Sequence, residues 1–290
     1  MKFINFSKHK QASFLRFIKR RTDQTWKQLA SLLKVNRSMI YFYANEHSKL
    51  PHHQYLRLCQ IAKIKPNDSI RLIDIKNKKI RVKIPRLSSK LAEFIGALAG
   101  DGHMNSITYE VSISMDKDLD KDYSGHILEL YNKLFNLQAK KYIQERYNKV
   151  KCYVFSKSLV EFLSSEYIIP VGKKKGKLHM PPQIRKDKNL LKAYVKGLFD
   201  TDGTFHRHHK KDAAIGIISR DVAFIKEVKE ALNKLDFSVS LSNKNLYIYK
   251  KEEIDRFFSE IEPANPKHLQ KYLHYKKYGI VPLTKELLRR

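Results

Sequence analysis

Two aspartates that close two matched segments, Asp101 and Asp202, are the residues of this sequence best suited to do chemistry. Each follows an apolar run and precedes a glycine, and the two lie 101 positions apart. Carboxylates brought together bind hard divalent cations, and we expect Mg²⁺ or Mn²⁺. Such ions can neutralise a phosphodiester and activate a water for in-line attack. One Asp-Gly pair is usually an ordinary helix stop, but its repetition indicates a shared site.

The apolar runs before these aspartates, residues 91–101 and 191–202, predict two helices that pack against each other. In each run, small residues four positions apart leave a face almost without side chains: Gly96 with Gly100, and Gly197 with Thr201. Such faces allow two backbones to approach closely. The carboxy ends then converge and bring Asp101 and Asp202 together. Gly102 and Gly203 follow the helices, where a positive φ is often needed.

The segments downstream of the two runs also match each other. Each run is followed by a hairpin pattern (108–114; 213–219), an aspartate (Asp116; Asp221), a helical block (126–134; 222–232), a strand (152–157; 246–251) and a last helix (159–163; 254–258). Alternation indicates strands and a 3.6-residue period indicates helices. The sequence therefore predicts an α+β fold with a pseudo-twofold duplicated αββαββα core.

The charge of the chain indicates a polyanionic partner. It has 58 Lys and Arg against 29 Asp and Glu, a net charge of +29 and a pI near 9.9. A hydrophobic content of 42% excludes a disordered basic tail. Because the basic residues are spread along the chain and no apolar run is long enough to span a bilayer, nucleic acid is favoured over a membrane, and we expect an intracellular, cytoplasmic protein. Cys59 and Cys152 are too few for a disulfide framework or a thiolate zinc site.

The first 68 residues predict a small all-helical domain of four short helices. Thr25 can cap the second helix, and a tight turn at 33–38 leads into the third. The segments 26–30 and 35–40 resemble the helix-turn-helix of phage-repressor-type regulators. That resemblance implies a third helix in the DNA major groove, with Arg37, Ser38, Tyr41 and Phe42 facing outward. The alternative is a helical bundle that only docks on the rest of the protein.

We divide the chain into six segments. They are the helix-turn-helix domain (1–68), a basic linker (69–85), a first half (86–170), a second linker (171–190), a second half (191–275) and a tail (276–290). Apolar and basic residues alternate in the first linker, which either lies on DNA phosphates or is a solvated connector.

Residues 84–272 resemble the LAGLIDADG homing endonucleases, and residues 194–205 match the second motif of that family closely. The resemblance implies two antiparallel sheets that form a saddle over a long double-stranded DNA site, and a single chain that acts as a monomer with an internal pseudo-dimer. It implies that Asp101 and Asp202 bind the divalent ions, and we place Gly100 and Thr201 in the same metal site. The expected activity is sequence-specific, metal-dependent DNA cleavage.

Further site residues follow from this resemblance. The linker 169–182 resembles the one that ends the first half in single-chain members, where a basic residue approaches the active centre, and Lys174 is our candidate. Lys267 is its candidate partner in the second half. Either lysine could stabilise the phosphorane charge or orient water, or simply contact phosphate. The strand after the second motif should face DNA through Arg207, Lys210 and Lys211, and the histidines 206, 208 and 209 should not converge on a metal.

The two motifs differ at their inner acidic position, which is Ala99 in the first and Asp200 in the second. Because Asp101 and Asp202 are both present, we expect cleavage to be retained. Two alternatives stay open: a transcriptional regulator with a non-cleaving core, and an RNA maturase that assists intron splicing.

Overall fold

The computed structural model describes residues 2–67, 72–74, 82–209 and 212–287. The chain divides into two compact units, Met1–Lys79 and Ile80–Arg290. Lys210 and Lys211, two of the DNA-contacting residues expected from the sequence, lie outside the described residues. Within the described part, no helix has the length and apolar character needed to cross a membrane.

The first unit contains four helices and two short strands. The elements are β1 (Lys2–Ile4), α1 (Lys10–Thr22), α2 (Trp26–Leu32), α3 (Arg37–Ala44), α4 (His52–Ile61) and β2 (Leu72–Asp74). β1 and β2 pair antiparallel, with Phe3 opposite Ile73. The expectation of an all-helical unit was therefore wrong in this respect, and β2 falls in the segment that we had assigned to the basic linker.

Side-chain caps fix the ends of α2 and α3. The Thr25 hydroxyl accepts from the Gln28 N–H, and the Gln28 side chain accepts from the Thr25 N–H, a reciprocal capping box. Asn36 caps α3 by accepting from the Ser38 N–H. The two helices are thus joined by the four residues 33–36, with Ile40 and Tyr43 of α3 buried in the core.

The second unit contains two copies of the predicted element order. The first half consists of α5 (Ser89–Asp101), β3 (Gly102–Met104), β4 (Glu110–Asp116), α6 (Lys121–Phe135), β5 (Lys140–Gln144), β6 (Lys149–Phe155) and α7 (Lys157–Tyr167). The second consists of α8 (Pro182–Arg185), α9 (Lys188–Asp202), β7 (Gly203–Arg207), β8 (Ala213–Ile218), α10 (Val222–Lys234), β9 (Ser240–Ser242), β10 (Asn245–Ile248), α11 (Lys251–Glu260), α12 (Pro266–Tyr278) and α13 (Thr284–Leu287). Each half contains αββαββα, and the second adds α12 and α13 after it.

Each half forms one four-stranded antiparallel sheet, in the orders β3-β4-β6-β5 and β7-β8-β10-β9. Alternate residues of the strands, such as Val111 and Ile113 in one sheet and Ile215 and Ile217 in the other, are buried in a single core with the helices. The predicted duplication and mixed α+β fold are confirmed. Helices cover one face of each sheet. The strand residues that alternate with the buried ones point to the other, open face.

Candidate active site

The two motif helices, α5 and α9, pack backbone to backbone through glycines. A Cβ atom added to Gly96 would lie 2.1 Å from the carbonyl oxygen of Tyr194, and one added to Gly197 would lie 1.9 Å from that of Glu93. Both distances are far inside van der Waals contact, so no larger residue fits without separating the helices. The sequence prediction of a close contact through glycine-lined faces is therefore borne out by the geometry.

The glycines directly after the helices serve a different purpose from the one expected. Gly102 has φ −83° and Gly203 has φ −87°, so both are extended and neither needs a positive φ. A Cβ on Gly102 would lie 2.3 Å from the Leu98 carbonyl oxygen, and one on Gly203 would lie 2.1 Å from the Phe199 ring. Lack of space where each strand leaves its helix therefore explains these glycines.

The helix contact brings the two motif ends together. A Cβ on Gly100 would lie 2.1 Å from the Thr201 hydroxyl oxygen and 3.3 Å from the Asp202 carboxyl carbon. Asp101, the next residue, is exposed, whereas Asp202 is half-buried. The Thr201 hydroxyl donates back to the carbonyls of Gly197 and Leu198, so its role here is to close the last turn of α9.

The electrostatics of the two aspartates reflect this proximity. Burial and, to a smaller extent, the charge of Asp101 raise the pKa of Asp202 to about 7, against the opposing effect of Lys174. Partial desolvation also raises the pKa of Asp101, opposed by Lys174 and Lys267. Both carboxyls therefore hold a proton more strongly than a solvated aspartate does.

Lys174 lies at the carboxy end of the first motif helix. Its ammonium donates to the carbonyl oxygens of Leu98, Ala99 and Gly100, at 3.3, 2.9 and 2.5 Å. Burial lowers the pKa of Lys174, and the charges of Asp202 and Asp101 act against that shift. The lysine expected from the sequence is therefore beside both aspartates. It also donates to the carbonyl of Gly100, the residue that we placed in the metal site.

Lys267 lies beside the same site but has its own partner. Its ammonium is 2.8 Å from a carboxylate oxygen of Asp120, which is nearly fully buried. Asp120 precedes α6 in the first half, whereas Lys267 is in the first turn of α12 in the second. The pair therefore joins the two halves, and it acts on Asp101 through the opposing charges of its two members.

Asp200 has a structural role that Ala99 cannot share. Its carboxylate accepts from the backbone N–H groups of Ala264 and Asn265, at 2.9 and 3.0 Å. The Asn265 side chain donates to the Asp200 carbonyl at 3.0 Å and to Asp120 at 2.7 Å. Burial raises the pKa of Asp200 to about 7. This carboxylate holds the segment before α12, and the sequence analysis did not predict this role or the buried Asn265.

The donor set of the site suits a hard cation. The carboxylates of Asp101 and Asp202 supply oxygen ligands only, which Mg²⁺ and Mn²⁺ prefer, and burial raises the pKa of both carboxyls, so a cation bound there would favour their ionised forms. Within the described residues, no group of three or more His, Cys, Asp or Glu side chains converges on a point. A metal held here must therefore complete its coordination with water or substrate oxygens.

The open face of the first sheet carries lysines. The pairing places Lys149 opposite Asp116, Lys151 opposite Ser114, and Lys140 opposite Tyr153. These residues alternate with buried Val150 and Cys152 and so point away from the core. Lys151 is engaged with Glu110 at 3.0 Å. Lys140 and Lys149 are exposed and remain available to phosphates.

The open face of the second sheet carries rings instead. Tyr247 lies opposite Gly216, which lies opposite Thr204. His206 is on the same face of β7, 6.2 Å from the Tyr247 ring, and the Tyr247 and Tyr249 rings stack at 5.5 Å. His206 and His208, two positions apart in the chain, have ring centroids 6.5 Å apart.

Arg207 is not on this open face. It alternates with His206 and so shares the helix-covered side of β7 with Phe205. Its guanidinium donates to the Val281 carbonyl oxygen, at 3.0 and 3.3 Å. Alternation after the buried Phe205 directs Arg207 towards the segment that follows α12, and its contact with DNA stays a prediction.

In the first unit, Arg37, Ser38 and Tyr41 of α3 are exposed, as the sequence predicted. Arg37 lies over the Tyr41 ring at 5.9 Å, and the Trp26 ring lies 6.2 Å from that of Tyr41. These side chains form one exposed surface on α2 and α3.

A family model described as the LAGLIDADG-like domain matches residues 189–262. This part of the chain is similar to that family. The match spans α9 to α11, including Asp202, and the first half repeats its element order. The resemblance expected from the sequence is thus confirmed, whereas the helix-turn-helix remains a prediction. No curated protein sequence matches the chain.

Solved structures with the LAGLIDADG fold are similar to this chain. Mesophilic variants of the homing endonuclease I-DmoI share 17% identity with a TM-score of 0.43, over 60% of this chain and 94% of theirs. I-DmoI in complex with DNA and Mn shares 18%, with a TM-score of 0.42, over 60% and 96%. Full-length DUF199/WhiA from Thermatoga maritima shares 13%, with a TM-score of 0.45, over 71% and 66%. Each likeness concerns the fold only.

Proposed function

We propose that this protein is a sequence-specific, divalent-metal-dependent endonuclease of double-stranded DNA. One observation carries the proposal: two tightly packed helices end in Asp101 and Asp202, whose carboxyls act on each other, in a chain with a net charge of +29. A pair of carboxylates that can hold cations, in a protein that attracts polyanions, is suited to phosphodiester chemistry.

The residues divide the work as follows. Asp101 and Asp202 would hold Mg²⁺ or Mn²⁺, which when bound neutralises phosphate charge and lowers the pKa of a coordinated water. Lys174 keeps its ammonium at the end of α5, between the helix carbonyls and both carboxylates. From there it offers positive charge to a phosphate whose own charge increases in the transition state.

The two sheets supply the DNA surface in this proposal. Lys140 and Lys149 of the first open face would contact phosphates, and Tyr247 and His206 of the second would contact base edges. The exposed surface on α2 and α3 that includes Arg37 would bind a further stretch of the same DNA. We propose a monomer inside the cell whose two halves each face one strand.

The test compares Asp202→Asn and Asp101→Asn with the unaltered protein on a library of double-stranded targets. Each variant should lose at least about a thousandfold in cleavage, since it removes an ionised ligand, while DNA affinity measured without metal stays the same. Asp118→Asn, an exposed aspartate near the site, is the control and should cut normally. If the unaltered protein binds a target and never cuts it in Mg²⁺ or Mn²⁺, it is a non-cleaving regulator instead. Tighter binding to folded intron RNA than to any duplex would indicate a maturase.

A further inference from the structure

The contact between Asp120, Asn265 and Lys267 links the halves at a point that neither motif occupies. One Asp120 carboxylate oxygen accepts from the Asn265 side chain at 2.7 Å and lies 2.8 Å from the Lys267 ammonium. The other accepts from the Asp116 N–H of the same half at 3.1 Å. Asp120 and Asn265 are both buried. The Asp120 carboxylate is held by a hydrogen bond from its own half and by contacts with Asn265 and Lys267 of the other half.

Buried ion pairs are costly to form, and removing one partner leaves a charge that must find another. Asp101 is an alternative partner for Lys267, because Lys267 is among the charges that act on that carboxyl and Asp101 is exposed. An ammonium paired with Asp101 would compete with a metal ion for the same oxygens. Because Asp120 binds the Lys267 ammonium itself, it opposes that pairing.

We propose that Asp120 is a positioning residue that holds Lys267 away from the Asp101 carboxylate and thereby keeps that carboxylate available to a divalent cation. The proposal rests on the proposed function, because it concerns the cation of the same site. It assigns a role to a first-half residue outside the motif, and it makes the metal affinity of one half depend on a lysine supplied by the other.

Among the described residues of the second half, no equivalent of this pair is present. The counterpart of Asp120 by distance from its motif would follow β8, where Asp221 instead accepts from the N–H groups of Phe224 and Leu178. Lys174, the lysine near Asp202, donates to three helix carbonyls. The two aspartates therefore have different lysine environments, and Asp120 acts on only one of them.

The test is a double-mutant cycle of Asp120→Asn and Lys267→Met, read out as the Ca²⁺ concentration that half-saturates the metal-dependent gain in DNA affinity. Because Ca²⁺ is used, binding can be followed by fluorescence anisotropy and no cleavage is required. The half-saturating Mn²⁺ concentration for cleavage is the second readout. Asp118→Asn is the control for removal of a nearby exposed charge.

Asp120→Asn should raise the half-saturating concentration on the order of tenfold. That change corresponds to about one log unit in the affinity of the carboxylate for a cation. In the Lys267→Met background the same substitution should have little effect, since no ammonium is left to compete. Lys267→Met alone should not raise the concentration. These results would establish that Asp120 acts through Lys267.

Three results would overturn the proposal: no change in Asp120→Asn, an equal change in both backgrounds, or the same change in Asp118→Asn. An equal change in both backgrounds would show that the Asp120 charge acts directly. If Asp120→Asn does not fold, Lys267→Gln decides, because the proposal then requires an unchanged or lower metal requirement. If the unaltered protein shows no metal response, the proposed function fails together with this inference; if it responds and the variants do not differ, this inference alone fails.

Discussion

Replacing Gly197 by alanine should separate the two motif helices. The new Cβ would lie 1.9 Å from the Glu93 carbonyl oxygen and 2.8 Å from the Ala97 nitrogen. Both are backbone atoms of the facing helix, so no side chain can rotate away, and the helices must part by about 1.5 Å to restore ordinary contact. Overpacking of a core usually costs 1–3 kcal/mol, and a backbone clash of this size should reach about 3 kcal/mol.

The measurement is guanidinium-induced unfolding of the whole protein, supported by the melting temperature. For a unit of this size, 1 kcal/mol corresponds to roughly 2–4 °C, so we expect a loss of about 6–12 °C. Gly125→Ala is the matched control, because Gly125 is an exposed residue within α6 and a Cβ there meets nothing within 4 Å. That change should be neutral or stabilise by up to about 1 kcal/mol. A Gly197→Ala protein as stable as the control would refute the tight helix contact.

Four further outcomes follow. Because burial raises the pKa of Asp202 to about 7, cation-dependent cleavage should increase from about pH 6 to pH 8 as that carboxyl ionises, a rise that a pH–rate profile would show. Asp200 has a similarly raised pKa, so both carboxyls contribute stability that is complete well below pH 4 and is lost as pH rises through about 7; calorimetry without metal should find lower stability at pH 8 than at pH 6. Lys149→Ala should lower the salt dependence of DNA binding by about one in log–log slope, whereas Tyr247→Ala should leave the slope and alter base preference. Arg37→Ala should weaken DNA binding by about 1–3 kcal/mol, measured as a dissociation constant at fixed salt.

The sequence predicted the repeated order of elements because each half has clear periodicity around a motif. The apolar period of 3.6 in α5 and α9 and the alternation in β4, β6 and β8 are local signals that require no knowledge of the partner element. The small residues Gly96 and Gly197 also predicted the helix contact, because a missing side chain on one face has few other purposes.

The errors came from features that depend on distant residues. β1 and β2 have three residues each and pair across about 70 positions, so neither is long enough to show alternation. The bond between Arg207 and the Val281 carbonyl was likewise not predicted, because 74 residues separate the two. Nothing in the local sequence shows that Asp120 meets Asn265 and Lys267, since 145 and 147 residues separate them.

The geometry of the helix pair explains why the site must attract cations. A helix carries a partial negative charge at its carboxy end, and here two such ends meet, each with an added aspartate. In the first half, Lys174 offsets the end of α5 by binding its last carbonyls. In the second, the end of α9 is met by the neutral Asn265 amide at the Asp200 carbonyl, and buried Asp200 adds a further acidic group. The end of α9 therefore has the greater deficit of positive charge, and a divalent ion gains most by binding there.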